Sequence, residues 1–363
     1  MRSRATIRDV AEKAGCSLST VSRVLNGVGR IGEDTRKRVH EAAVDLSFRF
    51  DPIGRSLQSQ RTRTIGAVIP TLSNPVFAEA IDGVQLLARQ RGYQLLLACS
   101  NYSPEEEEET VANLLAHRVD GLILTVSDAE DSPAVDMASK ADAPFVLIFN
   151  HPSGKIPSVA FDNRAAAHSV ARSMLEMGHR KVAFVAGRFR SSDRSKQRYS
   201  GFCEGYSEAG AEQPHLLEVE YEAAGHRDAL ETLLSASPDV TGLFCSNDML
   251  ALRVISDLRQ LGYKVPEDLS VVGFDGIDAS TLFEPGLATV ATGCRSMGHE
   301  AAERLINALE HVEELEDRIQ LLPHEFRPGG SLAPASGGIA GSRAATRNPA
   351  AILATTSHGK QGE

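Results

Sequence analysis

Tryptophan is absent from the 363 residues, and cysteine occurs only five times, as Cys16, Cys99, Cys203, Cys245 and Cys294. The five are widely spaced and form no C-x-x-C pair, which excludes a disulfide framework and a zinc site and leaves free thiols, with no metal or cofactor expected. No apolar run approaches the ~18 to 20 residues needed to cross a bilayer. The opening "MRSRATIRDVAEKAG" also lacks the apolar core of a signal peptide, so a cytoplasmic protein is expected. Catalytic signatures are missing as well. "HEAAE" at His299 has no second zinc-helix histidine, "GGIAG" lies in a loose C-terminal stretch, and no G-x-x-x-x-G-K-S/T loop exists, so an enzyme is not expected. What is present is an ordinary globular composition, 42% apolar and 24% charged, long enough for two or three domains.

The formal charge of −10 conceals an asymmetry. Residues 1–63 hold 13 Lys or Arg against 7 Asp or Glu, a net of +6, and the remainder holds 25 against 41, a net of −16. A basic head on an acidic body suggests a polyanion-binding module joined to something else.

The head reads as three short helices. Thr6 with Asp9 three residues later forms a capping box before Val10, Ala11 and Ala14, and Gly15 stops that helix. Ser17 is an N-cap for a second helix, Leu18 to Leu25, closed by Asn26 and Gly27. The third runs from about Glu33 to Leu46, with Val39, Ala42, Ala43 and Leu46 on one stripe. A helix, a tight turn and a second helix form a helix-turn-helix, whose second helix enters the major groove. On that helix Val21, Val24 and Leu25 point inward, whereas Leu18, Ser19, Ser22 and Arg23 face DNA. Arg23 suits a bidentate contact to guanine, and Thr20 and Ser22 suit phosphate oxygens.

From Thr64 onward, ten short apolar strands alternate with helical segments: "TIGAVIP", "QLLLACS", "GLILTVS", "PFVLIFN", "SVAFD", "KVAFVAG", "LLEVEYE", "GLFCSND", "LSVVGFD" and "LATVAT". Such strands imply parallel sheets covered on both faces, enough for two α/β domains. The segment 332–363, rich in Ala, Gly, Ser and Thr, is expected to be disordered. Ligands of open parallel sheets sit beyond the carboxyl ends of the strands. The candidates there are Asn74, Phe77, Ser100, Asn101, Ser127, Asn150, Asp162, the run Arg190 to Arg198 with Arg194 inside it, Asn247, Asp248, Phe274 and Asp275. Asn and Asp suit hydroxyl-rich ligands. Arginines around Asp193 favour an anionic one such as a sugar acid if Arg190 or Arg194 faces the cleft. Stacking falls to Phe77, Phe149, Phe161 or Phe274.

"TIRDVAEKAGCSLSTVSRVLN" and "TRKRVHEAAVDLSF", with "RTRTIGAVIPTLSNPVFAEAIDGV", "DGLIL", "FDNRAAAHSVARSMLEMGHRKVAFVAG", "RYSGF", "SNDMLALRVI" and "VVGFDGID", resemble the lactose/galactose repressor (LacI/GalR) family over residues 5 to about 331. The resemblance implies a small all-α helix-turn-helix head (1–47), a hinge (48–63) and a body (64–331) like a periplasmic sugar-binding protein. The body would comprise two doubly wound parallel-sheet subdomains, 64–161 with 293–323 and 162–292 with 324–331. It implies a homodimer on a near-palindromic operator and a hinge helix that places Leu57 in the minor groove. Asp51 and Pro52 supply that helix with a start, and Arg55 is available for phosphate. The sequence departs from the family at Phe50-Asp51 and at Gly54, which costs the helix roughly 0.5 to 1 kcal/mol. By the same resemblance Phe77, Arg198, Asn247, Asp248 and Asp275 line an effector cleft. The expected function is a repressor of carbohydrate or sugar-acid catabolism released by its effector. A corepressor-dependent repressor sensing a nucleobase or other non-sugar metabolite is the alternative; a transporter's solute-binding protein would need a signal peptide in place of the basic head.

Overall fold

The computed structural model describes residues 5–25, 29–46, 48, 61–221 and 225–335. They fall into two compact units that divide after Thr62. Among the expected residues, Asn26, Arg55 and Leu57, nearly all of the hinge, and 336–363 lie outside the described set.

In the head, α1 (Ile7–Ala14), α2 (Leu18–Leu25) and α3 (Glu33–Asp45) enclose a core of Val10, Ala11, Ala14, Val21, Val24, Val39, Ala42 and Ala43. Thr6 caps α1 through a complete capping box: Thr6 N donates to Asp9 Oδ2 at 2.7 Å, and Asp9 N donates to Thr6 Oγ1 at 3.3 Å. Gly15 ends α1 in the left-handed region, φ 60°, where a Cβ would be disfavoured.

The body contains two parallel sheets. The first has the order β11-β5-β4-β3-β1-β2, from β1 (Thr64–Ile69), β2 (Gln94–Cys99), β3 (Gly121–Leu124), β4 (Phe145–Ile148), β5 (Ser158–Phe161) and β11 (Ile319–Leu322). Helices α4 (Pro75–Gln90) and α11 (Cys294–Leu309) cover one face, and α5 (Pro104–Ala116) and α6 (Pro133–Lys140) cover the other. The second sheet has the order β7-β6-β8-β9, from β6 (Val182–Gly187), β7 (His215–Val219), β8 (Gly242–Cys245) and β9 (Ser270–Val272). It lies between α7 (Asn163–Glu176) with α8 (Asp193–Glu208) and α9 (Arg227–Ala236) with α10 (Asp248–Gln260). The inner strands are buried along their whole length, which is why they read as unbroken apolar runs. An antiparallel pair, β10 (Thr289–Thr292) with β12 (His324–Arg327), adds a component that the sequence pattern did not reveal.

The chain passes between the lobes three times, after β5, after β10 and after β11. In the first lobe, α4 and α11 cross where a Cβ on Gly298 would stand 1.8 Å from the Ala80 carbonyl oxygen, so the two backbones touch. Residues 332–335, expected to belong to a disordered tail, instead lie on the second lobe. Leu332 is buried, the Ala333 carbonyl lies 2.8 Å from His179 Nε2, and Ala335 N donates to the Met177 carbonyl at 2.8 Å. Burying an apolar side chain and satisfying backbone groups offsets the ordering entropy there.

Candidate functional site

The exposed face of α2 is built from its start. Ser17 accepts from Thr20 N at 3.2 Å, and its hydroxyl lies 2.8 Å from both Ser19 Oγ and Thr20 Oγ1, which fixes the first turn. Val21 and Val24 anchor the opposite face in the core. Leu18 is thereby held 43% exposed, an apolar residue displayed rather than buried, and Ser19 and Arg23 are exposed beside it. Thr6 lies in the same unit, but its hydroxyl donates to Asp9 Oδ2 at 2.8 Å, so capping engages it.

In the body, the loops at the carboxyl ends of the strands converge on a small chamber of about 30 Å³. Of the expected residues, Asn74, Phe77, Arg194, Arg198, Asn247 and Asp275 line it. Arg198 is its centre. The buried guanidinium lies over the Phe274 ring at 3.6 Å, donates from Nε to Asn163 Oδ1 at 2.8 Å and from Nη1 to the Ser246 carbonyl, and places Nη1 3.7 Å from Asp275 Oδ1. Asp275 Oδ2 is buried and has no hydrogen-bond partner among the described residues. Burial pushes this carboxyl up to about 8, and the neighbouring Arg198 pulls it down. The Asp275 backbone sits at φ 122°, and Phe149, Asn101 and Tyr102 around the same cleft also have positive φ, at 68°, 49° and 59°. Strained backbone of this kind collects at functional sites.

Other expected residues support the chamber without lining it. Asp248 is engaged by the fold: Oδ2 accepts from Gly276 N at 2.8 Å and Ile277 N at 3.0 Å, and Oδ1 accepts from Thr289 Oγ1 at 2.6 Å. It holds the loop that carries Asp275, and burial pushes its carboxyl up to about 7. Phe274 is fully buried beneath Arg198. Asp162 caps α7 through Ala165 N at 2.8 Å. Ser127 donates from N and Oγ to the buried Glu107, at 2.8 and 2.5 Å. Asn101 and Arg190 line an adjoining cavity of about 350 Å³, with Arg190 exposed.

The arginine-rich segment brings Arg194 to the chamber with protein partners already in place. Arg194 does face the chamber, yet its Nη1 donates to the Val126 carbonyl at 2.7 Å and to Asp193 Oδ1 at 3.1 Å. Asp193 is itself buried and accepts from Asn150 Nδ2 at 2.9 Å and Ala129 N at 3.2 Å, while its N donates to the Ser127 carbonyl at 2.7 Å. These bonds join the start of α8 in the second lobe to the loops after β3 and β4 in the first. Both chamber arginines therefore already lie beside an acidic side chain of the protein. A bound anion would have to displace one of those side chains.

Tyr102 and Tyr221 were not anticipated, although both line the chamber. Tyr221 reads as the end of a strand, but β7 stops at Val219, which brings the tyrosine into the loop. Among the described residues no group of His, Cys, Asp and Glu could hold a metal ion, and no helix is long and apolar enough to cross a membrane.

A helix-turn-helix head together with a two-lobed body having a polar cleft between its sheets defines a ligand-responsive DNA-binding regulator. Residues 62–327 match the family of periplasmic binding proteins and the sugar binding domain of the LacI family, and residues 6–50 match the bacterial regulatory proteins of the lacI family. The chain belongs to the LacI family, as an effector-responsive transcriptional regulator and not an enzyme. It is 32% identical over 327 residues to catabolite control protein A of Priestia megaterium, covering 89% of this chain and 98% of that protein. Its fold is similar to that of the lac repressor dimer bound to operator and the anti-inducer ONPF (TM-score 0.82, 24% identity, 91% of this chain and 99% of that one). It is also similar to the transcriptional regulator CelR in complex with cellobiose (TM-score 0.66, 28% identity, 90% of this chain and 100% of that one).

Proposed function

We propose that this regulator is a cytoplasmic repressor that reads a near-palindromic operator as a homodimer and releases it when a neutral, hydroxyl-rich small molecule enters the cleft. In the head, Leu18, Ser19 and Arg23 would contact base edges, and Ser17, Thr20 and Ser22 would fix position on phosphates. In the body, Phe77 and Phe149 would take the apolar face of a sugar ring, and Asn74, Asn247, Arg198 and Asp275 would take its hydroxyls.

The observation that supports the ligand class is the buried Asp275 Oδ2, which lacks a partner among the described residues and lines a chamber whose two arginines already lie beside acidic side chains. An oxygen of that kind asks for a donor such as a hydroxyl rather than for an anion. The cellobiose complex of CelR supports a carbohydrate. A nucleobase is the second reading, favoured by the aromatic rings of Phe77, Phe149, Tyr102 and Tyr221 at one chamber.

A thermal-shift screen of neutral sugars, sugar acids and nucleobases tests the class, since ligand at 100 times its dissociation constant adds about 2.7 kcal/mol. Neutral sugars should stabilise the protein and sugar acids should not. Stabilisation by nucleobases alone would move the assignment to the second reading, and stabilisation by sugar acids alone would refute the charge argument.

A further inference from the structure

Three cavities meet in the cleft: the chamber of about 30 Å³ at Arg198 and Asp275, one of about 350 Å³ toward Arg188 and Arg190, and one of about 300 Å³ toward Thr71 and Arg253. Tyr102 and Tyr221 are the two residues that line all three. Tyr102 comes from the first lobe, just after β2, and Tyr221 from the second, just after β7. Their ring centroids are 5.0 Å apart with the planes at 32°, and the Tyr102 ring also meets Phe77 edge-on at 6.3 Å. The pair forms a wall across the cleft.

The two halves of the wall are built differently. Tyr221 is fixed: its hydroxyl lies 2.8 Å from Ser195 Oγ and 3.0 Å from Ser246 Oγ, and its ring fills the space over Gly187, where a Cβ would come within 2.1 Å of a ring carbon. Tyr102 occupies a left-handed backbone position, φ 59°, immediately after Asn101 at φ 49°. Asn101 N donates to the Pro70 carbonyl and Ser103 N to the Ser100 carbonyl, both at 2.8 Å, so the bend is held by its neighbours. A tyrosine kept where glycine fits better has a side chain that does something there.

Resting on the assignment of the chamber as the effector site, we propose that the Tyr102–Tyr221 wall sets the size of the effector, confining it to one ring and closing off the two flanking cavities. At about 30 Å³ the chamber as it stands has room for no more than a few waters, too little for a sugar ring. A ligand seated on Arg198 and Asp275 needs the lobes to part, and the wall decides how far it extends sideways. Without the Tyr102 ring the chamber would join spaces that are together of the order of an ordinary small-molecule site, roughly 300–1,000 Å³.

The test uses the full chain and matched probes: D-glucose with cellobiose, D-galactose with melibiose, and D-ribose with adenosine, titrated calorimetrically. Tyr102→Gly removes the ring and suits the left-handed backbone, so it keeps the fold; Tyr102→Phe keeps the ring. The wild type and Tyr102→Phe should prefer the single-ring member of the responding pair by roughly tenfold or more, and Tyr102→Gly should narrow that preference to about threefold or reverse it. If wild type binds a single-ring probe in a way that Arg198→Ala abolishes, yet Tyr102→Gly leaves the preference unchanged or weakens both members equally, the wall has no selective role and the proposal falls alone. If no probe binds wild type or Tyr102→Gly, the effector-site assignment falls with it.

Discussion

Replacing Arg198 with Met keeps the bulk of the side chain and removes its charge, and the surroundings of Arg198 dictate how the cost varies with pH. The guanidinium is buried, pairs with Asp275 at 3.7 Å and donates to Asn163 and the Ser246 carbonyl. Breaking a buried pair from one side costs on the order of 3–5 kcal/mol when the remaining group must stay charged. Asp275 has an alternative, since burial already lifts its carboxyl to about 8. An acid whose folded-state pKa is raised contributes stability that is complete below the unfolded value and is lost as pH rises through the folded value. Between pH 5 and 7.5 Asp275 holds its proton in both proteins, so the difference between them stays flat and reflects the lost hydrogen bonds, each roughly 1–3 kcal/mol where a buried partner is left unmet. Above about pH 8 the wild type ionises Asp275 beside the cation. The variant cannot do so and holds the proton longer, so its deficit should widen by about 1.4 kcal/mol per pH unit. Urea unfolding of both proteins at half-unit steps from pH 6 to 9.5 measures this directly. A difference that is constant over that range, or that shrinks above pH 8, would refute the pairing of burial and charge at Asp275.

Two other substitutions probe separate parts of the chain. Arg23→Ala should weaken operator binding by about 1–3 kcal/mol while leaving effector affinity unchanged; in a fluorescence titration, an equal loss on scrambled DNA would remove its base-reading role. Gly298→Ala puts a methyl group 1.8 Å from the Ala80 carbonyl oxygen and forces α4 and α11 apart, so the melting temperature should fall by several degrees, an overpacking cost of about 1–3 kcal/mol or more. An unchanged melting curve would mean that the crossing is looser than the backbone contact implies.

What was legible in the sequence was local or periodic. Thr6 and Asp9 announce a capping box three residues apart, and Val21 and Val24 repeat at helical spacing. The inner strands show as apolar runs because both faces of their sheets are covered. Asp193 and Arg194, by contrast, read as neighbours in a basic loop. Only the fold brings Asn150 and the Val126 carbonyl to them, and with those partners Arg194 ceases to be a free site for an anion. Asp248 and Asp275 look alike at the ends of a helix cap and a strand. Three donors converge on the first, and one oxygen of the second is left without a partner among the described residues. Strand β12, "HEFR", escaped because its register with β10 comes from partners distant in the sequence, Thr289 with Arg327 through Thr292 with His324, and not from its own composition.

Helix α8 turns one face to the chamber and another to the opposite lobe. Residues four apart share a helix face, so Arg194 and Arg198 look into the chamber together. Asp193 and Gln197, one step back, reach the first lobe instead, Asp193 through Asn150 and Ala129, and Gln197 through the His151 carbonyl at 3.0 Å. A ligand seated on Arg198, as proposed, would therefore pull on the same helix that clasps the opposite lobe. Asp193→Asn leaves the chamber lining intact but removes the charge that faces Arg194 and weakens the clasp. Operator and effector should then communicate less: the ratio of operator affinities without and with effector, typically 5- to 150-fold for a coupling of about 1–3 kcal/mol, should move toward one. Linkage requires the ratio of effector affinities without and with operator to move by the same factor. If the variant binds both ligands normally and keeps the full ratio, the lobes communicate by a route that does not pass through the start of α8.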